Sequence, residues 1–353
     1  LILNFTGNVY HWGCHGTSAE IYQSLLERGY QVNWLDVRTT HTLTPQPAGV
    51  ADFTSVSFFT TFFKMHPNLE FALQEADVVV VNGEGTLHHL NRAPLNLLFL
   101  MHAAGNVFGR PVHLINHSFF PFGDTTPHEV ADALYGAVAR TMGRVVPREP
   151  ASRAVLTRLG VECEQGFDCL PRYITRHGFA GASSPAGPIL LSGGVNMGPT
   201  DTARIAQALR PLLGGRRHCF LVGAKTNPAP EDADLFAQFR ANLPGLELVT
   251  AASMEDWLGA IAGASCLVSG RYHHSIAAAA LGTPFVVFPS NTPKIEATCA
   301  HLGLPAPLAY GDPEFVGKLG GAVADALAGR GARVSSDASR LMLTGADKNF
   351  TGL

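Results

Sequence analysis

The chain has 353 residues, 46% apolar and 15% charged, with a net charge of -3. That length favours two domains, or one large one, over a single small core, the apolar share excludes a disordered chain, and the lack of a basic excess argues against nucleic-acid binding. Any anion site must therefore be local. None of the six cysteines forms a CxxC pair, and runs such as Cys219-Phe220-Leu221-Val222 read as free buried thiols in a reducing compartment. No signal-peptide pattern is visible and no apolar run reaches the roughly 20 residues of a membrane span, so the expected location is the cytoplasm.

Leu1 to Phe5 reads as a buried strand, followed by a small-residue loop from Gly7 to Gly16 and a helix from Thr17 to Arg28 that stops at Gly29. Gln31 to Asp36 returns as a second strand, which makes a βαβ unit. Phe53, Phe58, Phe59, Phe62, Phe63 and Met65 form an aromatic stretch. Core packing is one reading of it; a mobile lid, or a greasy surface for a lipid-linked acceptor with peripheral membrane contact, is the other. Asp77 to Val81 is a buried strand that breaks into Asn82-Gly83-Glu84-Gly85-Thr86. Helices are expected at 94–109, 127–141 and 151–159, and strands at 112–116 and 144–146. Residues 172–187, rich in Gly, Ser and Pro, suit a linker. A second alternating series follows, with strands at 188–192, 218–222, 246–249, 265–269 and 285–288. Its helices lie near 200–212, 231–242, 254–262, 273–281, 293–302 and 312–329. The pattern is α/β, with two Rossmann-like domains in tandem (1–171 and 188–330), a cleft between their strand ends, and a C-terminal tail (331–353) returning toward the N-terminal domain. The sequence assigns no oligomeric state.

Several segments carry chemistry. Gly270-Arg271-Tyr272-His273-His274-Ser275 joins a strand to a helix, where backbone N–H groups and the helix dipole attract anions. Arg271 adds a planar fork for phosphate or carboxylate, and His273 can exchange a proton near neutral pH. A metal reading of the adjacent histidines lacks supporting ligands, so neither metal nor cofactor is expected. In Asn82 to His89, Gly83, Gly85 and Thr86 let a ligand approach the backbone, Glu84 is a candidate base or acceptor for a sugar hydroxyl, and His88 or His89 could assist. Arg148 follows a short strand and Lys294 opens a helix. Asn8 and His15 lie in the first loop and suit a phosphate or sugar wall. Gly223-Ala224-Lys225-Thr226 mimics the end of a P-loop but lacks the leading glycine and spacing.

Taken in order, these motifs resemble the polysaccharide pyruvyltransferase family. They are Trp12 to Thr17, the Gly-rich turn after Val78 to Val81, and Arg148-Glu149 through Ser152 to Leu159-Gly160-Val161. Asp168, Arg271-Tyr272-His273, Ala278 to Pro284, and Lys294 follow. Two features depart from the family pattern: the first turn reads Gly-Glu-Gly, and Tyr272 stands where Leu is frequent. The resemblance implies a glycosyltransferase-B-like architecture, with the acceptor on the N-terminal side and the donor on the C-terminal side. It implies phosphoenolpyruvate as donor and a sugar or lipid-linked saccharide as acceptor. On that basis Arg148, Arg271 and Lys294 would hold the donor, Tyr272 would contact substrate, His273 would protonate the enol methylene, and Glu84 would act toward the sugar. A nucleotide-sugar glycosyltransferase and a non-catalytic sugar- or anion-binding module are the alternatives on the same fold.

Overall fold

The computed structural model of the chain describes residues 1–8, 11–224 and 230–353, so Lys225 and Thr226 of the P-loop mimic lie outside the described residues. The chain divides into two compact units. The first comprises Leu1–Val9, Thr17–Cys169 and Thr344–Leu353, and the second Tyr10–Gly16 and Leu170–Leu343.

In the first unit the elements run β1 (Ile2–Phe5), α1 (Trp12–Glu27, of which the residues from Thr17 belong here), β2 (Trp34–Asp36), α2 (Val37–Thr42), α3 (Val50–Thr54), α4 (Val56–Met65), α5 (Pro67–Glu75), β3 (Val79–Glu84), α6 (Arg92–His102), β4 (Val112–His117), α7 (Glu129–Ala139), β5 (Arg144–Pro147) and α8 (Pro150–Arg158). The strands form one parallel sheet in the order β2-β1-β3-β4-β5. Such sheets bind ligands where the strand order reverses, outside the carboxyl ends. Here that point lies between β1 and β3.

The second unit contains α9 (Leu170–Arg176), β6 (Ile189–Gly194), α10 (Pro199–Leu213), β7 (His218–Leu221), α11 (Pro230–Asn242), β8 (Glu247–Val249), α12 (Met254–Ala262), β9 (Cys266–Gly270), α13 (Tyr272–Leu281), β10 (Phe285–Val287), α14 (Lys294–His301), α15 (Phe315–Leu327) and most of α16 (Ser336–Asp347). Its parallel sheet runs β10-β9-β6-β7-β8, with the reversal between β6 and β9. Both units are thus Rossmann-like, as the alternation of strands and helices predicts.

Several boundaries move. The expected loop over 7–16 becomes helical at Trp12, so His15 sits in the first turn of α1. β3 does not stop at Val81 but runs to Glu84, which pairs with His117 of β4. Gly83 allows this, because a Cβ there would fall 2.4 Å from the Cβ of His117. Helix α9 occupies the start of the segment read as a linker, and the polar tail contains α16. The aromatic stretch is core. Phe99 of α6 is ringed by Phe53, Phe58, Phe59, Phe62 and Phe63 at centroid distances from 4.8 to 6.3 Å, while Met65 at the end of the stretch is exposed.

Deleting a fully buried aromatic ring removes its transfer energy and leaves a cavity. Phe99→Ala should therefore destabilise the protein by about 3–5 kcal/mol, read as a lowered urea midpoint with little change in slope.

Candidate functional site

The second unit's pocket begins with a backbone contact. β6 and β9 run side by side to Gly194 and Gly270, which are register partners. A Cβ on Gly270 would lie 2.7 Å from the Cα of Gly194, so only glycine fits there. Arg271 follows in an extended conformation and α13 starts at Tyr272 with no side-chain cap. The helix is apolar almost all round and ends at Gly282 with φ of 67°. Its amino end is therefore fixed while its first N–H groups remain directed outward, the arrangement that favours an anion.

A cavity of about 140 Å³ lies at this end, lined among others by Arg271, His273, His274, Trp257 and Lys294. Arg271 is anchored by Asp232 of α11, which is buried and also accepts the backbone N–H of Gly223 at 3.2 Å. The Arg271 backbone N–H donates to Ser269 Oγ at 3.0 Å. Lys294 in the first turn of α14 donates to Asn291 Oδ1 at 3.0 Å. Cys14 Sγ stands 3.8 Å from His273 Nδ1, and Gly13 permits the approach, since a Cβ there would lie 2.1 Å from that of His273.

Two further histidines line the cavity. Burial, then the Arg271 charge, pushes His11 down to about 4, against the smaller upward pull of Asp232 and the Gly223 carbonyl. His274 is 3% exposed and lies well below its ordinary value, through burial first and then Arg271, His11 and His273. Both rings are neutral at pH 7. Among the described residues the site presents one guanidinium, one ammonium, helix N–H groups and neutral imidazoles, a set matched to a small anion.

In the first unit Glu84 and Arg148 form a different constellation. Glu84 ends β3 with φ of 47°, a conformation that a residue with a Cβ adopts at a cost of roughly 1–2 kcal/mol. Its carboxylate accepts Thr6 Oγ1 at 3.1 Å and Thr17 Oγ1, and faces Arg148 Nη1 at 3.3 Å. Arg148 also pairs with Asp168 at 2.9 Å and Glu149 at 3.7 Å, and donates from Nε to Ser118 Oγ at 3.0 Å. Its side chain is 1% exposed. Arg148, expected to hold the donor, is enclosed by three carboxylates, Glu84 among them. Arg148 and Glu149 are both buried.

The other sequence candidates have plain positions. Gly83 is strand backbone. Thr86 donates its backbone N–H to Gly83 O at 3.0 Å and accepts Asn4 Nδ2 on its hydroxyl at 3.0 Å. Gly85 and His88 are half-buried, joined through His88 Nδ1 and the Gly85 carbonyl at 2.7 Å. Asn8 is exposed in a turn. His15 packs edge-on to Trp12 at 6.0 Å and is absent from the cavity lining. Tyr272 is buried and lines the cavity. Sequence reasoning missed His11, His274, Trp257 and Asp232. The doubled histidine at 273 and 274 was the one visible signal.

Removing one partner of a buried ion cluster strands the others, so Arg148→Ala should cost about 3–5 kcal/mol in urea unfolding. His117, beside Arg148, is pushed down to about 3 by burial and then by that charge. Its folded value lies below its unfolded 6.5, so its contribution is complete above pH 6.5 and is lost as pH falls toward 3. The urea midpoint should drop across that window, and His117→Gln should flatten the drop.

The fold agrees with that of known proteins. HepE from Anabaena, in complex with UDP and glucose, is 12% identical with a TM-score of 0.55, covering 99% of this chain and 94% of that one. UDP-GlcNAc 2-epimerase from Neisseria meningitidis, bound to UDP-GlcNAc, is 12% identical with a TM-score of 0.54, covering 92% and 88%. At such identity they establish the fold alone, which is glycosyltransferase-B-like. No curated protein matches the chain in sequence. Among the described residues no helix is long and apolar enough to cross a membrane. The family model for polysaccharide pyruvyl transferase matches residues 20–292, and the chain belongs to that family.

Proposed function

We propose that this transferase moves a pyruvyl group from phosphoenolpyruvate onto two hydroxyls of a sugar, forming a ketal. The observation that carries this reading is the cavity at the start of α13. Its volume of about 140 Å³ suits a three-carbon phosphate ester, and falls below the roughly 300–1,000 Å³ of pockets for larger ligands. Its cationic and N–H lining matches a donor that bears both phosphate and carboxylate.

In this scheme Arg271, Lys294 and the α13 N–H groups bind and orient the donor, and the second unit is the donor side. His273 gives a proton to the enol methylene, leaving a cationic carbon at the ester position. One sugar hydroxyl adds to that carbon and its proton returns to the imidazole. The C–O bond to phosphate then breaks, and the second hydroxyl closes the ring as phosphate departs with the remaining proton. Glu84, positioned by Arg148, Thr6 and Thr17, accepts a hydrogen bond from the acceptor sugar and orients it, and the first unit is the acceptor side. A positioned acid or base of this kind contributes typically about 10²–10⁴ in rate. The acceptor is a sugar or a lipid-linked saccharide, and the donor's metabolic source places the reaction in the cytoplasm.

The test is acceptor-dependent phosphate release from phosphoenolpyruvate, with UDP-sugars as the competing donors because HepE was crystallised with UDP and glucose. Release of UDP instead would replace this reading. Arg271→Ala should raise the Kd for phosphoenolpyruvate at least tenfold. His273→Ala should leave donor affinity within a few-fold and lower kcat by about 10²-fold or more. Normal turnover in that variant would move the acid role elsewhere.

A further inference from the structure

Residues lining the cavity at α13 hold buried polar atoms that the described residues leave unsatisfied. Arg271 Nε, Trp257 Nε1 and both ring nitrogens of His274 have no hydrogen-bond partner among the described residues, and all three residues line the same cavity. Most buried polar side-chain atoms in folded proteins have a partner, so orphans on three residues around one cavity call for an explanation. Each orphan costs about 1–3 kcal/mol unless something binds it. An indole N–H and a guanidinium N–H only donate, and an imidazole can donate from either nitrogen. Three residues that carry such donors around one cavity match a ligand rich in negative oxygens.

We propose that His274 and Trp257, outside the Arg271-Tyr272-His273 motif, are direct ligands of the phosphoryl group, and that His274 takes up a proton as the anion binds. The inference rests on reading this cavity as the donor site, and names which end of the donor lies where. Trp257 of α12 packs on His274 with ring centroids 5.4 Å apart, so the indole holds the imidazole in place. The charged and titratable groups around His274 come from several elements. Arg271 and His273 lie at the start of its own helix, His11 precedes α1, Cys14 lies on α1, Asp232 on α11 and Lys294 on α14. Burial first, and then the Arg271 charge, keep the ring neutral. An oxyanion placed against it reverses the balance, because an opposite charge within a few ångströms favours the protonated form. Protonation turns the ring's lone acceptor into a second donor facing the phosphoryl oxygens.

Calorimetry on the full chain tests this with sulfate, a tetrahedral dianion that does not itself titrate between pH 6 and 8, and then with phosphoenolpyruvate. Sulfate should bind with net proton uptake at pH 7, seen as a heat that varies with the ionisation enthalpy of the buffer, and its affinity should rise from pH 8 to pH 6. His274→Gln, which keeps a donor but cannot ionise, should take up fewer protons and lose much of the pH dependence. Trp257→Phe should weaken sulfate about tenfold, with circular dichroism melting to show that each variant folds. Uptake unchanged in His274→Gln, or no sulfate binding by the folded parent protein, overturns the proposal. Acceptor-dependent phosphate release alongside absent proton uptake would sink this inference and leave the pyruvyl-transfer reading standing. Uptake without any release would do the reverse.

Discussion

Two peptide backbones touch where Gly194 and Gly270 end adjacent strands, and the second unit's pocket is arranged around that contact. Because neither residue has a side chain, the carboxyl ends of β6 and β9 stay paired to their last residue. The turn after β9 then delivers Arg271 and the start of α13 to the point where the strand order reverses. The burial of α13 completes the placement. An apolar helix cannot shift its end toward solvent without exposing Ile276 or the alanines behind it, so the N–H groups at its start are held by packing rather than by a cap.

The first unit solves a different problem. One guanidinium stands among three carboxylates, all but out of contact with water. Such clusters add little net stability, since the desolvation of each ion opposes the attraction, but they are strict about geometry. Glu84 is held by two hydroxyls and one cation at the end of β3, on a backbone conformation that resists any residue with a Cβ. The asparagines nearby work in the same way. Asn116 donates to Asn82 Oδ1, and its own backbone N–H is taken by Asn349.

Strand and helix order was legible because buried parallel strands read as short apolar runs and their helices end at glycines. The motif at 271–273 could be placed for the same reason, since a strand end followed by a small-residue helix has few possible positions. What escaped depended on partners far away in the chain. Asp232 is 39 residues from Arg271 and belongs to no motif. Arg148 looked open because nothing local reveals that Glu84 and Asp168 fold back onto it. His11 was hidden by a helix that starts earlier than its glycines suggest, and His274 by lying next to a residue whose role was easier to argue.

The discontinuity of the first unit has a consequence for how the chain comes off the ribosome. Its sheet is complete in sequence by Cys169, yet Asn349 closes the backbone of β4 and reaches the Phe167 carbonyl at 2.8 Å, and Phe350 belongs to one of its cores. At synthesis rates of about 5–20 residues per second, the intervening second unit separates these partners by roughly ten seconds or more. The nascent N-terminal sheet must wait, compact but unsealed, with a buried amide still hydrated. A chain stalled or nicked anywhere in the second unit would leave that seam open, and would present chaperones with a nearly finished domain that cannot close itself.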